Sequence, residues 1–222
     1  MNKWILSLLL LISQLPLQAL PKLGYFFYTG RYTETDLLPI LFQQKTDYRK
    51  SDIATLGVTY PITSRIRMIR FEGEGNVVKH FGLMSHIEAN VSLNARISNL
   101  FWLPLSLAFG EGMSLASQNP SLENKGKGVY YAGNYFDPAT SLVVFGNLGY
   151  LPIGSSLQID SIKSSALLNF VMVELEYSFP QWEYQPGVFM RIHHRSGVFG
   201  LYCQPDPACG SNFVSYGLRI WF

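Results

Sequence analysis

The sequence predicts an all-β fold, an eight-stranded antiparallel barrel that spans a membrane, and three observations lead there. Apolar and polar residues alternate along eight stretches, and a period of two places successive side chains on opposite faces of a strand. Charged residues make up only 14% of the chain and aromatic residues another 14%. That balance suits a wall with an apolar outer band and aromatic girdles better than a water-facing surface. The longest apolar run, Trp4 to Ile12, sits at the very start, and no later run is long enough for a spanning helix.

That first run reads as a secretory signal. Met1-Asn2-Lys3 supplies the positive start and Ser13 to Ala19 a polar-leaning exit, with cleavage expected after Ala19. Residues 20–222 then form one domain of about 200 residues. The formal net charge is +2, which gives no reason to expect nucleic acid as a partner. Cys203 and Cys209 enclose Gln-Pro-Asp-Pro-Ala, and in an exported chain this reads as a small disulfide-closed loop.

The strands follow in order. Gly24–Tyr32 is aromatic-rich, and Ser51–Tyr60 is a weaker strand. Ile66–His80 carries Arg70, Glu72 and Glu74 on one parity and Ile69 and Phe71 on the other. Ile87–Ile97 is the clearest: Ile87, Ala89, Val91, Leu93, Ala95 and Ile97 alternate with Glu88, Asn90, Ser92, Asn94 and Arg96. Its length fits the roughly 9–11 residues a tilted strand needs to cross a bilayer. Leu103–Ala116, Leu167–Tyr177, Gly187–Ser196 and Phe213–Phe222 complete the set. In the last, Val214, Tyr216, Leu218, Ile220 and Phe222 alternate with Ser215, Gly217, Arg219 and Trp221. An aromatic terminal residue on such a strand resembles the assembly signal of bacterial outer-membrane β-barrels. The resemblance implies a bacterial outer-membrane location, with the barrel assembly machinery as a partner through the strand ending in Phe222.

Connections at Pro61–Ser64, Ser98–Phe101 and Phe179–Gln185 are short, as periplasmic turns should be. Trp102, Trp182, Tyr184 and Trp221 lie at that end and are expected to form one aromatic girdle. Thr33–Lys50, Ser117–Ser164 and Gly197–Gly210 are the expected extracellular loops. The long one has enough apolar residues from Asn119 to Ser164 for a small hairpin or for extended strands. The inward parity collects Arg70, Glu72, Glu74, Glu88, Arg96, Glu174, Glu176, Arg191 and Arg219. In so narrow a barrel these side chains should pair and fill the interior, which argues against an open diffusion pore. Gly110-Glu111-Gly112 and Glu72-Gly73-Glu74-Gly75 read as strand irregularities or tight packing, and a lone His80 near a strand end is assigned no role.

Chemistry concentrates in Arg191-Ile192-His193-His194-Arg195-Ser196-Gly197. His193 and Arg195 take the inward parity, whereas His194 and Ser196 share the outward one with Val188, Met190 and Ile192. A histidine and a serine on the outer rim can meet a lipid beside the barrel, His194 as general base and Ser196 as nucleophile. This His-x-Ser pair on the penultimate strand resembles that of the outer-membrane lipid A deacylases (lipid A 3-O-deacylases), small eight-stranded barrels. The resemblance implies a Ser-His-Glu triad at the outer surface that removes an ester-linked hydroxyacyl chain from lipid A. Ser196 then matches the nucleophile, and His194 the base. Asn212 stands where the family has its Glu, with the outward parity of Val214. An Asn can orient an imidazole but brings no charge; Asp206, in the Cys203–Cys209 loop, is another candidate acid.

Two functions follow from different classes. One is an esterase acting on lipid A or a related lipopolysaccharide lipid through His194, Ser196 and Asn212, with no cofactor and no metal. The other is a non-enzymatic structural or surface-recognition barrel, in which the same residues merely touch lipid headgroups and the long loop carries the function.

Overall fold

A computed structural model describes residues 22–35, 37–43, 46–62, 69–123, 164–197 and 210–222, together with short backbone segments between 128 and 159. The expected signal and the Cys203–Cys209 loop with Asp206 lie outside the described residues. Eight strands close into one antiparallel barrel: β1 (Gly24–Thr33), β2 (Tyr48–Ile62), β3 (Ile69–Gly82), β4 (Ile87–Ile97), β5 (Leu105–Ala116), β6 (Leu167–Ser178), β7 (Gly187–Ser196) and β8 (Gly210–Trp221). Each strand pairs with its sequence neighbours, and β1 closes the ring on β8 from Gly24↔Trp221 to Thr33↔Asn212. Closure removes both sheet edges, so the ladder leaves no row of backbone groups to be solvated.

Outward side chains are mostly apolar, with Arg31, Lys79 and Glu111 as charged exceptions. Leu56, Val77, Val91, Leu93, Phe109, Leu115, Tyr216 and Leu218 are exposed, an arrangement that is costly in water and favourable in hydrocarbon. At the end where β1 starts and β8 stops, aromatic rings gather: Tyr25 and Tyr184 pack on Phe222, and Phe179 stacks on Trp182. Trp102 is fully exposed there. Trp221 departs from the expected girdle. It takes the inward parity of Arg219, is buried, and lies under the Arg70 guanidinium at 5.0 Å.

The interior is a connected set of ion pairs. Glu174 accepts hydrogen bonds from Arg96 (2.6 Å), Arg191 (2.5 Å) and Arg219 (2.9 Å), so one carboxylate ties β4, β7 and β8 to β6. Glu74 takes both terminal nitrogens of Arg191 at 2.6 and 2.9 Å, and Glu72 accepts Arg96 Nε at 3.0 Å. Glu176 pairs with Arg219 and Arg96. Arg191 also lies over the Phe26, Tyr28 and Phe189 rings at 4.9–5.3 Å. Near the loop end Arg195 donates to Glu123 at 2.7 Å, and Glu123 also accepts from Ser164 and Ser211. The lumen is therefore packed, as expected. A cavity of about 290 Å³ remains at the opposite mouth, lined by Lys22, Arg70, Arg96 and Glu176 among others.

The glycine-rich stretches contain no bulge. Pairing runs unbroken from β4 through β5 to β6 across Gly110–Gly112, and from β2 through β3 to β4 across Gly73–Gly75. Gly110 reflects packing instead: a Cβ there would lie 2.1 Å from Asn94 Oδ1. Within the long loop, Gly128–Tyr131 pairs with Ser156–Ile159, and Phe136–Asp137, Leu142–Val144 and Tyr150–Pro152 form a second small sheet.

Removing one partner of a buried ion pair strands the other charge, at a cost of about 3–5 kcal/mol. Glu174→Ala should lower barrel stability by about that much, because three guanidinium groups lose a shared acceptor. Urea unfolding in phospholipid vesicles, followed by the gel shift between folded and unfolded barrel, reads the effect. An unchanged midpoint would mean that the network holds nothing together.

Candidate functional site

His194 and Ser196 sit at the loop end of β7 on its outward parity, with Asn212 of β8 directly opposite His194 in register. Their neighbours establish the parity: Val188 and Met190 are exposed, whereas Phe189, Arg191, His193 and Arg195 are buried. Ile192 and Val214 share the outward parity yet are buried, because a short helix α1 (Leu37–Gln43) in the first loop packs Ile40 against them. Loop 1 thus folds back onto the outer wall beside the candidate residues. The rest of α1 leaves Leu38, Leu41 and Phe42 exposed, Phe42 at 79%.

The base of that loop fixes Asn212. Thr33 is the register partner of Asn212, and its hydroxyl oxygen accepts the backbone N–H groups of Thr35 (3.2 Å) and Asp47 (3.0 Å). These bonds fold the chain back just after β1. The Thr35 carbonyl then accepts a hydrogen bond from Asn212 Nδ2 at 3.0 Å. An amide nitrogen donates and an amide oxygen accepts, so this contact decides which way the Asn212 amide faces. Its Oδ1 lies 2.5 Å from His194 Nδ1. Because Oδ1 only accepts, the proton of the neutral ring belongs on Nδ1 and the lone pair on Nε2. A carboxylate at position 212 would face the Thr35 carbonyl with like charge, whereas Asn serves both neighbours.

Ser196 lies opposite Gly210 in register. Gly210 has φ +138°, and a Cβ there would approach the Arg195 carbonyl oxygen to 1.9 Å. Only glycine fits, so the strand facing Ser196 carries no side chain at that point. His194 and Ser196 are half-buried and Asn212 is buried.

A second polar chain crosses the inside of the same strand. Tyr28 Oη lies 2.7 Å from His193 Nδ1, His193 Nε2 lies 3.0 Å from Glu88 Oε1, and Glu88 Oε2 lies 2.8 Å from His80 Nε2. His86 stacks on His80. Burial, and then the neighbouring His80, push the His86 imidazole down to about 4, so it is neutral at pH 7.

Every sequence-predicted inward residue of β6 and β7 is inward, His193 and Arg195 included, and the three outward candidates share one patch of wall. Sequence reasoning missed Thr35, Ile40 and Glu123, which lie in connections where strand parity says nothing. His80, assigned no role from sequence, had a usable signal: it follows the even-numbered parity that carries Glu72 and Glu74 of β3 into the lumen, where Glu88 of β4 was already expected.

No family model matches the chain, and no curated protein matches it. Solved structures with a similar fold include the outer membrane enzyme PagL, at 12% identity and a TM-score of 0.49, covering 89% of this chain and 98% of that one. Neisserial surface protein A (NspA) is similar at 12% identity and a TM-score of 0.43, covering 90% of this chain and 97% of that one. The chain thus resembles bacterial outer-membrane barrels, a likeness of fold alone.

Nitrogen-15 spectra of the folded barrel should find the neutral His194 ring protonated on Nδ1. Asn212→Leu should shift it toward the Nε2-protonated form that free imidazole side chains prefer. An Nε2-protonated ring in the unmutated protein would contradict the assignment.

Proposed function

We propose that this chain is an outer-membrane esterase that removes an ester-linked acyl chain from lipid A, working from the outer face of its barrel. The observation that carries the reading is the His194–Asn212–Thr35 hydrogen-bond chain, which orients an imidazole on a lipid-facing wall where stability does not need one. In this orientation loop 1 and the long loop are extracellular, and the end with Trp102 and Trp182 is periplasmic. An apolar exterior and a lumen full of paired charges support the membrane setting.

The reaction proceeds by acyl transfer. Ser196 Oγ attacks the ester carbonyl carbon while His194 Nε2 takes its proton. The tetrahedral intermediate collapses, the bond from the acyl carbon to the sugar oxygen breaks, and His194 returns the proton to that oxygen. Water then attacks the acyl-serine with His194 again as base, releasing the fatty acid and restoring Ser196. Asn212 holds the ring through its Nδ1–H throughout but supplies no counter-charge to the imidazolium. Turnover should therefore be slow beside a carboxylate triad, because the imidazolium formed at each proton transfer goes without its counter-charge. The exposed Leu38, Leu41 and Phe42 of α1 offer an apolar edge beside the site where acyl chains can lie.

Mass spectrometry of lipid A from cells making the protein should reveal loss of one hydroxyacyl chain, and cells making Ser196→Ala should keep it. Identical lipid A in both, with the barrel shown to be folded in the outer membrane, would favour a non-enzymatic surface barrel. If the esterase reading holds, Asn212→Ala should lower turnover by about tenfold or more while leaving the folded fraction unchanged. Equal turnover in that variant would remove Asn212 from the mechanism.

A further inference from the structure

One cluster lies apart from the outer-wall site and meets the guanidinium network only through Glu88, whose Oε2 is 3.8 Å from Arg195 Nε. At the loop end of the β3–β4 hairpin, His80, His86 and Glu88 are all buried, and each offers a ligand atom within 4.8 Å of the other two. The two imidazoles stack with centroids 3.8 Å apart and planes 16° from parallel. Phe213 closes one side, edge-on to His80 at 5.3 Å. Three of the four ring nitrogens, His80 Nδ1 and both of His86, have no hydrogen-bond partner among the described residues. Burying unpaired nitrogens is unfavourable, and stacking the two imidazoles offsets little of it.

We propose that His80, His86 and Glu88 bind one divalent transition-metal ion of the zinc type. Two imidazoles and a carboxylate are a zinc donor set, with ligand distances of about 2.0–2.2 Å. His80 Nε2 and Glu88 Oε2 lie 2.8 Å apart in a hydrogen bond, and an ion between them replaces that bond once the pair opens by about 0.5 Å to the donor spacing of a tetrahedral site. His86 closes the third side by turning its ring out of the stack, which breaks no hydrogen bond because the ring makes none among the described residues. The ion takes the lone pair of His80 Nε2, so the ring proton resides on Nδ1 and the already ionised carboxylate supplies the charge.

The surroundings fit a metal site beyond its ligands. The second oxygen of Glu88 is held by His193 Nε2 at 3.0 Å, and His193 is held in turn by Tyr28 at 2.7 Å. Such outer contacts orient a metal-binding carboxylate. His80 and His86 also bracket the turn, with the His80 backbone N–H bonded to the His86 carbonyl at 2.9 Å. An ion here pins the tip of the β3–β4 hairpin to the lumen network.

The test uses the full-length barrel refolded in detergent, stripped with a chelator and titrated with Zn²⁺. One equivalent should bind, and the urea unfolding midpoint should rise with it. His86→Phe preserves the ring stack and the volume but has no nitrogen, so that barrel should fold and bind zinc about tenfold more weakly or not at all. Its unfolding midpoint should then ignore zinc. His194→Ala should bind like the unmutated protein, which separates this site from the esterase reading. Absence of stoichiometric binding, or unchanged binding in folded His86→Phe, would overturn the proposal and leave the orphan nitrogens to buried water.

Discussion

One carboxylate, Glu174, organises the inside of this barrel. It lies where guanidinium groups from β4, β7 and β8 converge, and no two of those strands could shift register without taking an arginine away from it. A narrow closed barrel excludes bulk water, so each charge within it must find an opposite charge or a hydrogen bond. Glu72, Glu74 and Glu176 extend the pairing toward one mouth, and Glu88 and Glu123 toward the other. The apolar exterior is the complement of this arrangement. Most charges of the strands go inward, so most of the wall is free to be greasy.

Register links the lumen to the outer site. Because the charge network holds β7 against β8, His194 stands opposite Asn212 and Ser196 opposite Gly210. The outer residues are then completed by something the barrel does not supply, the turn after β1. Thr33 braces that turn, Thr35 sets the amide of Asn212, and Ile40 docks α1 on Ile192 and Val214. A neutral Asn in the orienting position therefore has a local cause. The group beside it is a carbonyl oxygen, which a donor satisfies and a carboxylate does not.

The fold was legible because alternation in a barrel carries the whole burial instruction. Val91 and Leu93 outside, Asn94 and Arg96 inside, could be read from β4 alone, and the same parity sorts β6, β7 and β8. Alternation held even where the chain ends a strand, and the girdle expectation did not. Trp221 was misread as a girdle residue although its own parity put it inward, because aromatic residues near a membrane interface so often face lipid. The glycines of β5 read as irregularity or tight packing, and Gly110 is the latter, a place where Asn94 needs room. Of the outer site, the outward parity of His194, Ser196 and Asn212 was legible. The hydrogen bond that aims Asn212 was not, because Thr35 lies 177 residues away in sequence.

By itself the sequence determined which side chains face in and which face out, and hence an antiparallel barrel with charges within and apolar groups without. That information is local, written in steps of two residues. Only the tertiary structure decided who meets whom: which arginines share Glu174, which carbonyl turns Asn212, and that His86 lies flat on His80 beside Glu88. Those contacts depend on strand register, on barrel closure and on how loops fold back. Each joins residues whose spacing along the chain has no fixed relation to their distance in space.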